Sequence, residues 1–142
     1  MDLSALGNDI ERVVVSEEQI QNRLKELAAQ VNKDYEGRDL ILVGVLKGAI
    51  MAMADFSRHL QRHVDMDWMA VSSYGAGTKS SGVVRILKDL DNDILGREVL
   101  IVEDILDTGL TLSWLTENLL SRGAKSVSVL TVLRKPDAAT VK

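Results

Sequence analysis

Residues Val99–Leu112 read VLIVEDILDTGLTL and contain the pattern that decides the fold. Four apolar residues precede two adjacent carboxylates, Glu103 and Asp104, and the turn Asp107-Thr108-Gly109 follows shortly after. An apolar run of this length is typical of a parallel strand that is buried on both faces. The residues after the turn, from Leu112 onward, have helical spacing, so the stretch predicts a strand, a turn and a helix.

The same stretch combines an anion site with negative charge. Thr108, Gly109 and Thr111 lie between a strand and a helix N-terminus, where backbone N–H groups and hydroxyls can surround a phosphate. Glu103 and Asp104 would repel a phosphate, but carboxylates accept hydrogen bonds from sugar hydroxyls and bind Mg²⁺. A sugar phosphate that carries a diol and is presented with Mg²⁺ suits both halves of the turn.

The rest of the chain repeats the alternation of strand and helix. Ser16 and Gln19 form a predicted capping box at the start of the first helix. The fold class is therefore α/β with a mainly parallel central sheet flanked by helices. The predicted elements are helices 16–34 and 49–60, a helix from about Leu112 closed by Gly123, and strands 40–46, 68–73, 83–88, 98–103 and 126–133.

Three connections should meet at one edge of this sheet. Ligands of such sheets bind beyond the carboxyl ends of the strands, where Leu46-Lys47-Gly48, the Glu103–Thr111 turn and Arg134-Lys135 all fall. A loop of residues 74–82 contains three glycines and no periodicity. Loops of this kind often close over a site, although an ordinary connection is the alternative.

Composition limits the classes of function. The 142 residues favour a single domain, residues 1–142, and the formal net charge of −4 with no basic patch argues against nucleic acid as a partner. The chain contains no cysteine, which excludes disulfides and thiolate sites. No apolar run is long enough for a membrane span and the N-terminus does not resemble a secretory signal, so we expect a cytoplasmic protein.

Three motifs together resemble the hypoxanthine-guanine phosphoribosyltransferases, within the type I phosphoribosyltransferases. They are VGVLKG at 43–48, SSYG at 72–75 and VEDILDTG at 102–109. The resemblance spans nearly the whole chain. It implies transfer of ribose 5-phosphate from phosphoribosyl pyrophosphate to a 6-oxopurine, with release of pyrophosphate and with Mg²⁺ as cofactor. It also implies a homodimer or homotetramer.

The resemblance assigns a role to each matching position. Asp107 would accept a proton from the purine, and Lys135 would donate to the 6-oxo group, which adenine lacks. The family often has a non-proline cis peptide in the stretch that matches Leu46-Lys47-Gly48. The implied sets are Leu46, Lys47 and Gly48 for pyrophosphate; Glu103 and Asp104 for the ribose hydroxyls and Mg²⁺; Asp107, Thr108, Gly109, Leu110 and Thr111 for the 5-phosphate; Ile105 and Lys135 for the purine; and Ser73 and Tyr74 for the closing loop.

Other interpretations of the same residues stay open at this point. Adjacent acids after a strand are often only a solvated turn, and Lys135 is also consistent with a simple charge at a strand end. A regulatory module that binds phosphoribosyl pyrophosphate without chemistry is the alternative function, although such a module has no need of a proton acceptor at Asp107. Members of the family continue beyond the last strand predicted here, so we expect this chain to keep its affinity for sugar phosphates and to turn over slowly.

Overall fold

The computed structural model describes residues 3–73, 84–106 and 109–134. The predicted functional residues Tyr74, Asp107, Thr108 and Lys135 lie outside these ranges. After a 3-10 helix at Leu3–Asp9, the elements are α1 (Glu17–Asp34), β1 (Leu40–Leu46), α2 (Ile50–His59), β2 (Asp65–Ser73), β3 (Val84–Lys88), β4 (Glu98–Leu106), α3 (Leu110–Ser121) and β5 (Ser126–Arg134).

The five strands form one sheet in the order β3-β2-β1-β4-β5. Strand β1 is central and runs parallel to β2 and β4, and β5 runs parallel to β4. Among the strands of the described residues, only β3 is antiparallel, and it pairs with β2. The predicted α/β class with a mainly parallel sheet is confirmed, and the carboxyl ends of β1, β2, β4 and β5 lie at one edge.

Alternate residues of the central strands are buried on opposite faces of the sheet. Leu42 of β1 and Val102 of β4 pack with Phe56 of α2, on the face that α1 and α2 cover. Val43 and Ile101, one residue away in each strand, pack with Leu115 and Leu119 of α3 on the other face. Because both faces are covered, these strands are apolar at nearly every position.

The start of α1 follows the predicted capping box. The Ser16 hydroxyl accepts a hydrogen bond from the Gln19 backbone N–H at 3.1 Å, and the Gln19 side chain accepts one from the Ser16 N–H at 2.8 Å. Two N-terminal donors are thereby satisfied at once. Within the described ranges, no helix is both long and apolar enough to cross a bilayer.

Several predicted boundaries were wrong, and three of them have a clear structural reason. Strand β4 continues to Leu106 instead of ending at Glu103, because its pairing with β5 extends to Ile105 and Leu106. Strand β2 begins at Asp65, three residues before the predicted Trp68, because Asp65 pairs with Ile41 of β1. The C-cap of α3 is Arg122, and Gly123 follows it with a φ of +87°, a conformation that glycine adopts without steric penalty.

Candidate active site

The β1–α2 connection and the acidic end of β4 are in direct contact. A Cβ atom placed on Gly48 would lie 3.2 Å from Oδ2 and 3.4 Å from Oδ1 of Asp104. The carboxylate therefore lies beside Gly48, on the side where a side chain would project, and a larger residue there would crowd it. Two connections that are predicted to converge do so.

The connection itself is short and held by its own backbone. The N–H of Ala49 donates to the carbonyl of Val45 at 3.2 Å, and the N–H of Ile50 donates to the carbonyl of Lys47 at 3.1 Å. The peptide bond between Leu46 and Lys47 is cis, as the family resemblance implies. Lys47 and Gly48 are exposed, so the backbone of this connection is accessible to a ligand.

Glu103 and Asp104 point to opposite faces of the sheet, because successive residues of a strand alternate. Asp104 faces the side of α2, where its carboxylate also accepts a hydrogen bond from the N–H of Ile105 at 2.8 Å. Glu103 faces the side of α3 and lines a cavity of about 210 Å³, together with Val45, Ile105, Leu106, Gly109, Thr111, Leu112 and Leu115. The predicted acidic pair is thus two distinct positions at one strand end.

The carboxylate of Glu103 is poorly solvated. Its Oε1 atom is buried and has no hydrogen-bond partner among the described residues. Burial, reinforced by the neighbouring charge of Asp104, raises the pKa of Glu103 to about 7. A hydroxyl donor or a cation at this position would supply the missing partner.

Either carboxylate fits a Mg²⁺ ion that is bound jointly with a ligand. In the part of the chain that the structure describes, no group of three or more His, Asp or Glu side chains could hold a metal on its own. Mg²⁺ is usually bound by one or two carboxylates together with substrate phosphates and water. The orphaned oxygen of Glu103 and the carboxylate of Asp104 at Gly48 are oxygen donors of the right kind, so the donor set suits this ion.

The N-terminus of α3 is suited to an anion. Gly109 is the N-cap residue, with a φ of +83°, and it provides no side chain to cap the helix. No acidic residue lies in the first turn, so nothing there opposes the partial positive charge of the helix. Thr111 lines the cavity beside it. Glu103 lines the same cavity.

The structure places the remaining predicted residues as follows. Ile105 lies on the same face as Glu103 and lines the same cavity, and Leu110 is the first residue of α3. Ser73 is the last residue of β2 and pairs with Val84, and Arg134 ends β5 opposite Leu106. Sequence reasoning missed Val45, Leu106, Leu112 and Leu115 as parts of the site. The register of β1 against β4, which pairs Val43 with Ile101, places Val45 on the Glu103 face, and the sequence alone does not give that register.

Adding a methyl group to Gly48 tests the pyrophosphate role that the family resemblance implies for this connection. In Gly48→Ala, Cβ would lie 3.2 Å from Oδ2 of Asp104, so the carboxylate or the connection must shift. Crowding of this kind costs about 1–3 kcal/mol, and we expect the affinity for Mg²⁺-pyrophosphate to fall about tenfold, measured by calorimetric titration. An unchanged dissociation constant would show that the contact does not matter for binding.

The pKa of Glu103 predicts a pH-dependent stability. Folding raises the pKa of Glu103 from 4.5 to about 7, so the folded protein binds a proton at this carboxylate more tightly than the unfolded chain does. The free energy of unfolding therefore falls as pH rises from about 4.5 to about 7. Glu103→Gln removes this effect, so its stability relative to the native chain should rise from pH 5 to pH 8 in urea denaturation without Mg²⁺. Glu36→Gln, at an exposed glutamate, is the control. A stability difference that is the same at both pH values would contradict the assignment.

The fold and this arrangement define a class of protein that transfers phosphoribosyl groups. Residues 16–142 match the phosphoribosyl transferase domain, so the chain belongs to the phosphoribosyltransferase family. It is 55% identical over 136 residues to hypoxanthine-guanine phosphoribosyltransferase of Mycobacterium bovis, a match that covers 92% of this chain and 67% of that protein.

Solved structures give the same likeness. A hypoxanthine phosphoribosyltransferase of Staphylococcus aureus superimposes with a TM-score of 0.94 at 46% identity, covering 99% of this chain and 76% of that one. The hypoxanthine phosphoribosyltransferase of Trypanosoma cruzi, in complex with the product IMP, superimposes with a TM-score of 0.85 at 39% identity. The match covers 93% of this chain and 75% of that one. The resemblance found in the three sequence motifs is therefore confirmed.

Proposed function

We propose that this chain is a purine salvage transferase. It transfers the phosphoribosyl group of phosphoribosyl pyrophosphate to hypoxanthine or guanine, giving IMP or GMP and pyrophosphate. The observation that carries the proposal is the contact between Gly48 and the carboxylate of Asp104, since it joins a pyrophosphate-binding connection to a ribose-binding acid. The names of the relatives support the same substrates.

The substrate is proposed to lie along the carboxyl ends of β1 and β4. Backbone groups of Leu46, Lys47 and Gly48 bind the pyrophosphate. Glu103 and Asp104 accept hydrogen bonds from the two ribose hydroxyls, which gives the Oε1 atom of Glu103 the partner it lacks. The 5-phosphate binds at the N-terminus of α3, at residues 107–111, where the helix dipole favours an anion.

The reaction exchanges one bond at the anomeric carbon for another. The bond to the pyrophosphate oxygen breaks as the purine nitrogen attacks, so positive charge builds on the sugar. The carboxylates of Glu103 and Asp104 stabilise that charge through the ribose. Asp107 accepts the proton that the purine ring releases. When bound, Mg²⁺ supplies charge neutralisation on the leaving pyrophosphate.

The purine is proposed to be selected at its 6-position. Lys135 has donors only, so it can bind a 6-oxo group but not the 6-amino group of adenine. Ile105 contributes an apolar contact to the ring. Ser73 and Tyr74, with the loop that follows, exclude water that would otherwise capture the sugar cation.

The proposal has three further parts, of which the first two rest on the family resemblance and the third on the sequence of the N-terminus and the lack of a long apolar run. They are Mg²⁺ as the cofactor, a homodimer or homotetramer as the assembly, and the cytoplasm as the location. Analytical ultracentrifugation of the purified chain tests the assembly directly. No feature of residues 3–73, 84–106 or 109–134 favours the regulatory alternative.

A spectrophotometric assay tests the proposed function. Purified protein, phosphoribosyl pyrophosphate and Mg²⁺ are incubated with hypoxanthine, guanine or adenine, and nucleotide formation is followed by absorbance. We expect IMP and GMP to form and AMP not to form. Binding of phosphoribosyl pyrophosphate without any nucleotide product would overturn the enzymatic proposal in favour of a binding module.

A further inference from the structure

Trp68 and Gly44 face each other across two neighbouring strands. They are register partners in the parallel pair of β1 and β2, so their side-chain positions lie on the same face of the sheet. A Cβ atom on Gly44 would lie 2.5 Å from Cζ3 and 2.7 Å from Cε3 of the Trp68 ring. Side-chain atoms do not approach so closely, so the indole occupies the space that any other residue at position 44 would fill.

The same ring lies beside the start of α2. The Cε atom of Met53 would be 3.0 Å from a Cβ on Gly44, next to the indole carbons. Met53 is completely buried, and Trp68 packs against the core cluster to which it belongs. The N–H of Met53 donates to the carbonyl of Ala49 at 2.8 Å, so Met53 is one helical turn from the pyrophosphate connection.

The backbone of Trp68 is fixed from the opposite side. Its N–H donates to the Asp67 carboxylate at 2.8 Å, and its carbonyl accepts a hydrogen bond from the Lys88 ammonium at 3.1 Å. Asp67 is itself only 2% exposed and also accepts hydrogen bonds from the N–H groups of Asp91 and Asn92. The indole is thus held by a well-bonded segment of β2 while it touches β1 and packs beside α2.

We propose that Trp68 is a positioning residue for the connection Leu46-Lys47-Gly48. Gly44 lies in β1, two residues before this connection, and Met53 lies in α2, four residues after Ala49. Because the indole ring packs beside both residues, it sets the distance between the end of β1 and the start of α2. That spacing determines where the backbone of the connection meets pyrophosphate. The inference rests on the proposed function, since it assigns the connection to pyrophosphate.

A purely structural role for Trp68 makes a different prediction. Loss of core packing would destabilise the whole protein and weaken both ends of the substrate site alike. Loss of positioning weakens the pyrophosphate end selectively, because Glu103, Asp104 and the N-terminus of α3 belong to β4 and its connection. Separate titrations of Mg²⁺-pyrophosphate and of ribose 5-phosphate distinguish the two roles.

The test uses Gly44→Ala, Trp68→Leu, Trp68→Phe and the double variant Gly44→Ala/Trp68→Leu, with Trp114→Leu as the control. Trp114 is the other tryptophan and packs on the opposite face of the sheet. Binding of each ligand is measured by calorimetry on the full chain. Overpacking at position 44 should weaken Mg²⁺-pyrophosphate binding about tenfold, with ribose 5-phosphate binding changed less than about twofold.

Two further results are expected and each is decisive. Trp68→Phe should keep most of the pyrophosphate affinity, because a ring remains over Gly44. The double variant should bind no more weakly than Trp68→Leu alone, because the smaller leucine leaves room for the methyl group added at position 44. Equal loss for both ligands, or additive effects of the two substitutions, would overturn the inference. A native chain that binds neither ligand would instead refute the proposed function.

Discussion

Asp107→Asn should lower the rate of nucleotide formation by about 100- to 10,000-fold, the range that a positioned general base contributes. Asparagine has the shape of aspartate but cannot accept the proton that the purine ring loses as its nitrogen bonds to the sugar. Binding of phosphoribosyl pyrophosphate should change little by comparison, because the backbone N–H groups around position 107 are retained. Initial rates with saturating hypoxanthine, and calorimetry with phosphoribosyl pyrophosphate, measure the two effects separately.

Asp93→Asn is a matched control for this experiment. Asp93 is an exposed residue in the connection before β4, at the opposite end of the strand from the site. Its carboxylate accepts a hydrogen bond from the N–H of Leu95 at 3.0 Å, and an asparagine oxygen can accept the same bond. The control should keep the native rate. An Asp107→Asn variant as fast as the control would remove Asp107 from the mechanism.

Asp104→Asn should weaken the binding of Mg²⁺-phosphoribosyl pyrophosphate by about 100-fold. A charge-assisted hydrogen bond contributes roughly 1.5–3 kcal/mol, and tenfold in affinity corresponds to about 1.4 kcal/mol. Because asparagine has nearly the same volume, the contact with Gly48 is kept and the loss reports the charge and not the packing. Titration at several Mg²⁺ concentrations separates the two contributions of Asp104, because more Mg²⁺ restores by mass action only the part of the loss that comes from weaker Mg²⁺ binding.

The Asp104 prediction would be contradicted by two results. One is a native dissociation constant in Asp104→Asn, which would place the ligand away from β4. The other is an equal loss in Asp93→Asn, which would indicate a general effect of net charge. We expect neither, because the Asp104 carboxylate lies beside Gly48 of the connection that we propose binds pyrophosphate.

The parts of the fold that local patterns encode were predictable. The run Leu40–Leu46 is apolar because both faces of β1 are covered, and its predicted bounds match the strand. The capping box at Ser16 involves residues three apart, so the sequence alone predicts where α1 begins. These features depend on interactions within a few residues.

The parts that depend on distant pairing were not predictable. Glu103 and Asp104 look like turn residues because charged side chains rarely end a buried strand. The end of β4 is set by its pairing with β5, which begins only at Ser126, beyond the whole of α3. Only the full length of β4 shows that the two acids face opposite sides of the sheet. Likewise, no local signal relates Gly44 to Trp68, since a glycine in a strand shows only that something approaches closely.

The sequence identified individual residues of the candidate site better than it identified their relative positions. The motifs identified Gly48 and Asp104 separately, and the structure adds that the carboxylate lies beside the glycine. They also identified Glu103 as a hydrogen-bond acceptor, and the structure adds that its Oε1 atom is buried and has no partner among the described residues. Burial is a property of the folded chain, so the raised pKa of Glu103 could not be read from its neighbours in sequence.

The most direct test is a crystal structure of this chain with Mg²⁺ and phosphoribosyl pyrophosphate. We expect the pyrophosphate against the backbone of Lys47 and Gly48, the ribose hydroxyls within hydrogen-bond distance of Glu103 and Asp104, and the 5-phosphate at the N-terminus of α3. A ligand bound elsewhere, or one that contacts β4 without reaching the β1–α2 connection, would contradict a single site built from both strand ends.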